Sequence, residues 1–236
     1  MSDESGVSDH APVRIAVIHA TRVAVPPVEA AFARLWPEAD RLNLLHESLS
    51  RDLAEAGGLT PALFDRVDRL ARRGKDSGAH GILFSCSAFG AAIEAARARM
   101  DIPVLKPNEA MLEEALDAGS KILLAATFAP SLDSIREELD EMAAERGREI
   151  EVEGCLVSGA LDALHAGEPE AHDALIAEAI AGRPPCGVVL LAQFSMARAL
   201  PAVAGKVEAR VLSSPDSAVA RLREQLAGVR SAPSAR

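Results

Sequence analysis

The sequence is poor in aromatic residues and in basic clusters, and each shortage narrows what the protein can be. Aromatic side chains make up 3% of the 236 residues and tyrosine is absent. Alanine, leucine and valine must therefore supply the core, as they do in helices packed on a sheet. Acidic residues outnumber basic ones by 35 to 25, which gives a formal net charge of −10. Nucleic acids and anionic membranes bind basic faces, so we expect neither as a partner.

Cysteine and long apolar runs are also scarce. Cys86, Cys155 and Cys186 form an odd number without metal-type spacing, which argues against a disulfide framework or a zinc site. There is no glycine fingerprint for a nucleotide, so we expect no cofactor. No apolar stretch has the length of a membrane span, and the start MSDESGVSDHAP lacks the apolar segment of a signal peptide. We expect a cytoplasmic protein, and the sequence leaves a homo-oligomer open.

Short apolar strands alternate with helical patterns along the chain, which predicts an α/β fold with parallel strands. The predicted strands cover residues 13–19, 40–45, 81–85, 102–105, 121–126, 150–157, 187–192 and 207–212. The predicted helices cover residues 28–36, 61–78, 88–100, 109–118, 131–146, 169–181, 195–203 and 216–229.

The pattern repeats itself in the second part of the chain. RIAVIHAT ends at Thr21 and KILLAAT ends at Thr127, and the step from Thr21 to Cys86, repeated from Thr127, reaches Ala192. Any two βα units share this outline, but the repeat predicts two pseudo-symmetric, Rossmann-like halves with the active site in the cleft between them. We assign residues 13–108 and 209–229 to the first half and residues 109–208 to the second. We expect residues 1–12 and 230–236 to be disordered.

Cys86 lies where a predicted strand meets a predicted helix, in LFSCSAFGAA. The free N–H groups and the dipole at a helix start stabilise an anion and can lower a thiol pKa from about 8.5. A thiolate there could act as a base or a nucleophile, and the alternative is a small buried filler. For Cys155, inside a predicted strand, and Cys186, before one, we favour a packing role.

Hydroxyl and imidazole groups follow other predicted strands. Thr21 and Thr127 end strands, and Ser131 opens a helix, where it could help to bind a carboxylate or serve only as an N-cap. His19 ends the first strand and could face the cleft as an acid or base, or be a hydrogen-bonded structural residue. His46 is a weaker candidate. We expect the remaining internal histidines at the surface or in loops: His80, His165 and His172.

Several of these segments resemble the aspartate/glutamate/hydantoin racemase superfamily, which includes arylmalonate decarboxylase and maleate isomerase. The resemblance runs over most of residues 13–229. It is carried by RIAVIHAT, LFSCSAFGAAIEAAR, ILLAATFAPSLDSIREEL, GALDALHAGEPEAHDALI, VVLLAQFSMA and VLSSPDSAV. It implies two Rossmann-like halves, a site between them and no cofactor.

The resemblance also implies a chemistry. In the family's racemases two cysteines flank the carbon next to a carboxylate; one removes a proton and the other returns one. Cys86 matches the first cysteine. The position of the second cysteine is occupied by Ala192 or Gln193, and neither side chain can remove or return a proton. A racemisation with two thiols is therefore not supported by this sequence. The implied enzyme is a racemase or isomerase that acts next to a carboxylate or carbonyl of a small acid through Cys86, and a racemase with His19 or a water as its second base stays open.

Two alternatives stay open. Arylmalonate decarboxylase uses a single cysteine, matching the other half of this chain, so a decarboxylase or lyase with one thiol is the first. A non-catalytic protein that binds small acids is the second. We predict Cys86 and His19 as catalytic residues. The predicted substrate-binding residues are Thr21, Ser85, Ser87, Thr127, Ser131, Gln193 and Ser195.

Overall fold

The computed structural model describes residues 12–227 and contains two parallel four-stranded sheets with flanking helices. The predicted fold class is confirmed. The first sheet has the order β2-β1-β3-β4 and comprises β1 (Arg14–His19), β2 (Asp40–Leu45), β3 (Gly81–Phe84) and β4 (Val104–Leu105). The second has the order β6-β5-β7-β8 and comprises β5 (Lys121–Ala126), β6 (Glu151–Leu156), β7 (Val188–Leu191) and β8 (Arg210–Ser213). Apart from residue 12, the segments expected to be disordered lie outside the described residues.

Ten α-helices connect or flank the strands within residues 12–227. They are α1 (Val25–Leu35), α2 (Ser48–Ala56), α3 (Pro61–Asp76), α4 (Gly90–Arg97), α5 (Glu109–Ala118), α6 (Ala129–Glu145), α7 (Ala160–His165), α8 (Pro169–Ala181), α9 (Leu200–Ala204) and α10 (Ser214–Ala227). Thr60 caps α3 by accepting a hydrogen bond from the Leu63 N–H, and Pro61 takes the first helical position. No helix in this part of the chain is long and apolar enough to cross a membrane.

The central strands are buried on both faces, as apolar runs in a parallel sheet require. On one face of β1, Ile15 packs in a cluster with Phe32 of α1 and Leu222 of α10. On the other face, Ile18 packs in a cluster with Val67 of α3. Each large apolar side chain removed from water contributes about 1.5–3 kcal/mol. This packing holds the carboxyl ends of the strands in place, where the site lies.

The two sheets have the same hydrogen-bond register as well as the same strand order. The N–H of Ser85, just after β3, donates to the carbonyl of Ile18 at 3.0 Å. The N–H of Ala192, just after β7, donates to the carbonyl of Ala125 at the same distance. Ile18 therefore corresponds to Ala125 and Ser85 to Ala192, so residues that follow these strands can be paired one by one.

The chain passes between the halves at two places. It leaves the first sheet after β4 to enter α5, and it leaves the second sheet after β8 to enter α10. Residues 209–229 were assigned to the first half. Within them β8 pairs with β7 of the second sheet, whereas α10 packs with the core of the first.

Candidate functional site

A cavity of about 180 Å³ lies between the halves, at the carboxyl ends of β1, β3 and β7. This is the edge of a parallel sheet at which ligands bind. The predicted site residues that line the cavity are Thr21, Ser85, Cys86, Ser87, Ser131, Gln193 and Ser195. Every residue that lines it is uncharged at neutral pH, and Cys86 is the one lining side chain that titrates.

Cys86 follows β3 in an extended conformation and precedes a single 3-10 turn, Ser87–Phe89. Burial raises the pKa of the Cys86 thiol, and a hydrogen bond from the Ala88 N–H only partly offsets this. The expectation that a helix start lowers this pKa is therefore wrong. The α-helix begins only at Gly90, and the effect of its dipole is confined to its first turn. At neutral pH the group in the cavity is a thiol, which can donate a proton.

Gln193 is the counterpart of Cys86 in the second half. Ser85 and Ala192 occupy matching positions, Cys86 follows Ser85, and Gln193 follows Ala192. Its Oε1 accepts two hydrogen bonds from Thr127, from the N–H at 2.6 Å and from Oγ1 at 2.8 Å. A backbone N–H can only donate, so the amide oxygen of Gln193 must be the atom that faces Thr127. The amino group is thereby left as the end of the amide that is available to a ligand in the cavity.

Thr127 does not line the cavity and is buried, with 8% of its surface exposed. Its hydroxyl points to Gln193, so the structure places it as a support for that side chain rather than against a ligand. The strand registers also pair Thr127 with Ala20, because Ala126 matches His19. The sequence-based pairing of Thr127 with Thr21 is one residue out of register.

His19 is fully buried behind the cavity wall. Its Nδ1 lies 2.8 Å from Ser85 Oγ and its Nε2 lies 2.9 Å from Asn43 Oδ1. Burial lowers the pKa of His19, against the opposing effects of the Asn43 hydrogen bond and the Glu29 charge. His19 is not among the residues that line the cavity. Its placement favours a contact with the ligand through Ser85 and not directly.

Asn108 lines the cavity and was not identified in the sequence. It precedes α5, where an asparagine is usually an N-cap, but its side chain makes no capping hydrogen bond. Instead its Oδ1 accepts a hydrogen bond from Ser214 Oγ at 2.8 Å. In the sequence, the only sign of Asn108 was its place in KPNEA at the start of α5. Its hydrogen-bond partner, Ser214, is more than a hundred residues away and could not be predicted from that segment.

The other candidate residues lie outside the cavity. Cys155 is fully buried in β6, and Cys186 lines a separate cavity of about 510 Å³ near the start of β7. The expectation that His172 lies at the surface is wrong. Its side chain is fully buried, because α8 is covered by α9 and by the 3-10 segment Phe194–Ala199 that leads into α9. Its Nδ1 lies 2.8 Å from Asp173 Oδ1. No cluster of His, Cys, Asp or Glu in residues 12–227 is arranged to hold a metal ion.

Comparison with known proteins decides the family. The Asp/Glu/Hydantoin racemase family matches residues 13–222. The chain belongs to this family. No curated protein sequence matches the chain.

Solved structures with the same fold include both racemases and a decarboxylase. Allantoin racemase from Klebsiella pneumoniae has a TM-score of 0.68 at 17% identity, with 95% of each chain covered. An aspartate racemase homologue from Pyrococcus horikoshii has a TM-score of 0.64 at 16% identity, covering 91% of this chain and 99% of that one. Arylmalonate decarboxylase has a TM-score of 0.61 at 21% identity, covering 94% and 95%. The prediction of an isomerase or decarboxylase enzyme is confirmed at the level of the family.

Proposed function

We propose that this protein is a cofactor-independent enzyme that protonates one face of a carbanion next to a carboxylate, with Cys86 as the proton donor. The favoured reaction is decarboxylation of a small acid that carries a second carboxylate on the same carbon. The observation that supports this proposal is the pair formed by Cys86 and Gln193. One wall of the cavity carries a thiol, and the matching position of the other wall carries an amide.

A racemase that uses two side chains is less well supported. Such a reaction needs one group to remove a proton on one face and another to return it on the opposite face. An amide such as that of Gln193 neither gives nor takes a proton at neutral pH. Ser131 and Ser195 also line the second wall, but among residues 12–227 no histidine or carboxylate side chain lines the cavity with them to act as a base. A racemase with Cys86 would therefore depend on water for its second proton transfer.

The raised pKa of Cys86 suits protonation of a carbanion. In the proposed reaction, the bond from the central carbon to one carboxylate breaks and carbon dioxide leaves. The electron pair moves onto the central carbon and into the remaining carboxylate, which forms an enediolate. The S–H bond of Cys86 then breaks as its proton forms a C–H bond, and the resulting thiolate takes a proton from water. A neutral thiol performs this step without prior activation.

The remaining polar groups of the cavity are suited to holding the carboxylate that becomes the enediolate. The amino group of Gln193 and the hydroxyls of Thr21 and Ser131 are neutral donors whose positions are set by the fold. Donors that are preorganised around a developing negative charge provide much of an enzyme's rate enhancement.

The lining also limits the class of substrate. No carboxylate side chain lines the cavity, so the ammonium group of an α-amino acid would lose its hydration without an ionic partner. A cavity of about 180 Å³ corresponds to roughly six water molecules at about 30 Å³ each. We therefore propose a small acid without an ammonium group, of which malonate and its 2-substituted derivatives are the simplest probes.

The test is turnover of malonate and methylmalonate in deuterated water, followed by NMR. We expect release of carbon dioxide and incorporation of one deuterium at the central carbon. Cys86→Ser should lower kcat by about 10²- to 10⁴-fold, the usual contribution of a general acid. Cys186→Ser is the matched control, because Cys186 lies outside this cavity, and should keep full activity.

Three other results would change the assignment. Deuterium exchange at the carbon next to the carboxylate of chiral acids, without loss of carbon dioxide, would show a racemase. Tight binding of the probes without turnover would show a binding protein, an outcome that the raised pKa of Cys86 also allows. Turnover that Cys86→Ser leaves intact would remove Cys86 from the mechanism.

A further inference from the structure

A chain of hydrogen bonds runs from the cavity wall to the protein surface through His19. Ser85 Oγ lies 2.8 Å from His19 Nδ1, and His19 Nε2 lies 2.9 Å from Asn43 Oδ1. The Asn43 amino group then donates to Glu29 Oε1 at 2.7 Å. Ser85 lines the cavity and His19 is fully buried. The proposed decarboxylation leaves this chain of four side chains without a role.

The carboxylate of Glu29 determines the direction of every hydrogen bond in the chain. A carboxylate only accepts, so the Asn43 amide must turn its amino group to Glu29 and its oxygen to His19. An amide oxygen also only accepts, so His19 carries its proton on Nε2. Its Nδ1 is then an acceptor, because burial favours the neutral ring.

Ser85 must therefore donate its hydroxyl proton inward, to His19 Nδ1. Its other available acceptor, the carbonyl of Ile18, is 3.4 Å away and is the weaker partner. If the proton pointed elsewhere, the lone pairs of Ser85 Oγ and His19 Nδ1 would face each other at 2.8 Å. With its proton committed, Ser85 can offer only oxygen lone pairs to the cavity.

We propose that Ser85, positioned by His19, is a specificity-determining acceptor that selects acids bearing a neutral hydrogen-bond donor, a hydroxyl or an amide N–H, beside the carboxylate. This inference rests on the proposed small-acid site and adds a substrate class to it. An ammonium group would also donate, but the uncharged lining disfavours it. Acids that carry only hydrogen or carbon at that position leave the Ser85 oxygen without a partner.

The experiment compares the binding of malonate and hydroxymalonate, which differ by one hydroxyl, by isothermal titration calorimetry. Every protein compared carries Cys86→Ser, which slows turnover of the probes, and wild type here means wild type at all other positions. We expect wild-type protein to bind hydroxymalonate roughly 3- to 10-fold more tightly, the usual net value of one hydrogen bond. Ser85→Ala should reduce this ratio to about one, because it removes the acceptor. Ser134→Ala, a serine of α6 outside the cavity, is the matched control and should leave the ratio unchanged.

His19→Leu tests the positioning role separately. It should lower the ratio although Ser85 is intact, because the hydroxyl is then free to turn and donate into the cavity. If that variant does not fold, the comparison of Ser85→Ala with Ser134→Ala decides alone. Equal binding of both probes by wild type, or a ratio unchanged in Ser85→Ala, would refute the inference while the small-acid site stands. Failure of wild type to bind either probe would refute the proposed site as well.

Discussion

Thr127 could act in binding by supporting Gln193 or by contacting the ligand directly, and a substitution can separate these two roles. Gln193 Oε1 is held by two hydrogen bonds, at 2.6 Å from the N–H and at 2.8 Å from Oγ1 of Thr127. Thr127→Val removes the second and keeps the first. The loss of one net hydrogen bond is worth about 1 kcal/mol, so malonate should bind roughly fivefold more weakly.

The assay is a double-mutant cycle with Gln193→Ala, read by calorimetric titration of malonate in a Cys86→Ser background, where turnover of malonate is slowed. In the Gln193→Ala background, Thr127→Val should have no further effect, because the side chain that it supports is gone. The coupling free energy should therefore be about 1 kcal/mol. Thr60→Val is the control: it removes the cap of α3 and lowers stability, but it should leave malonate affinity unchanged.

Additive effects would refute this reasoning. If Thr127→Val weakened binding equally in both backgrounds, its hydroxyl would contact the ligand directly, as the sequence alone suggested. If neither variant changed the affinity, the second wall of the cavity would have no part in binding.

Three further predictions concern stability and the thiol. Gly74→Ala should destabilise the fold by about 1 kcal/mol, because the added Cβ would lie 2.7 Å from Ala16 Cβ and overpacking outweighs the gain in helix propensity. Gly90→Ala is the control and should not destabilise the fold, because nothing lies within 4 Å of its added Cβ. Equal effects of the two substitutions in thermal unfolding would contradict the packing argument. Because burial raises the pKa of the Cys86 thiol, its alkylation by iodoacetamide, followed by mass spectrometry, should reach half the maximal rate at a higher pH than that of a free cysteine in a short peptide treated in parallel. An equal or lower pH would contradict the raised pKa. Because burial lowers the pKa of folded His19 below 6.5, the unfolded chain takes up its proton first as pH falls. In urea titrations, wild type should therefore lose unfolding free energy relative to His19→Leu as the pH falls below 6.5. A gain of wild type relative to His19→Leu in that range would contradict the lowered pKa.

Much of the fold could be predicted because short strands alternate with helical patterns along the chain, and the central strands are apolar on both faces. The bounds of β2, β5, α5 and α8 follow directly from such local patterns. Helices α2 and α7 could not be predicted, because α2 buries only Leu49 and α7 has six residues, too few for a periodic pattern.

The cavity residues at the strand ends could also be predicted, since parallel strands bring their carboxyl ends to one edge. The roles of those residues could not. The orientation of His19 depends on Asn43 in β2 and Glu29 in α1, and the pKa of Cys86 depends on how deeply the loop is buried. Both are properties of packing between distant segments, which a local pattern does not contain.

The hydrogen bond between Asn108 and Ser214 has a consequence for how the two halves can move. Asn108 lies at the first passage of the chain between the halves and Ser214 at the second, so this bond fastens the two connections together. A movement that separates the two connections must break this bond, and also the ion pair of Arg221 with Glu113 between α10 and α5. Since Asn108 also lines the cavity, such a movement would change the shape of the cavity as well.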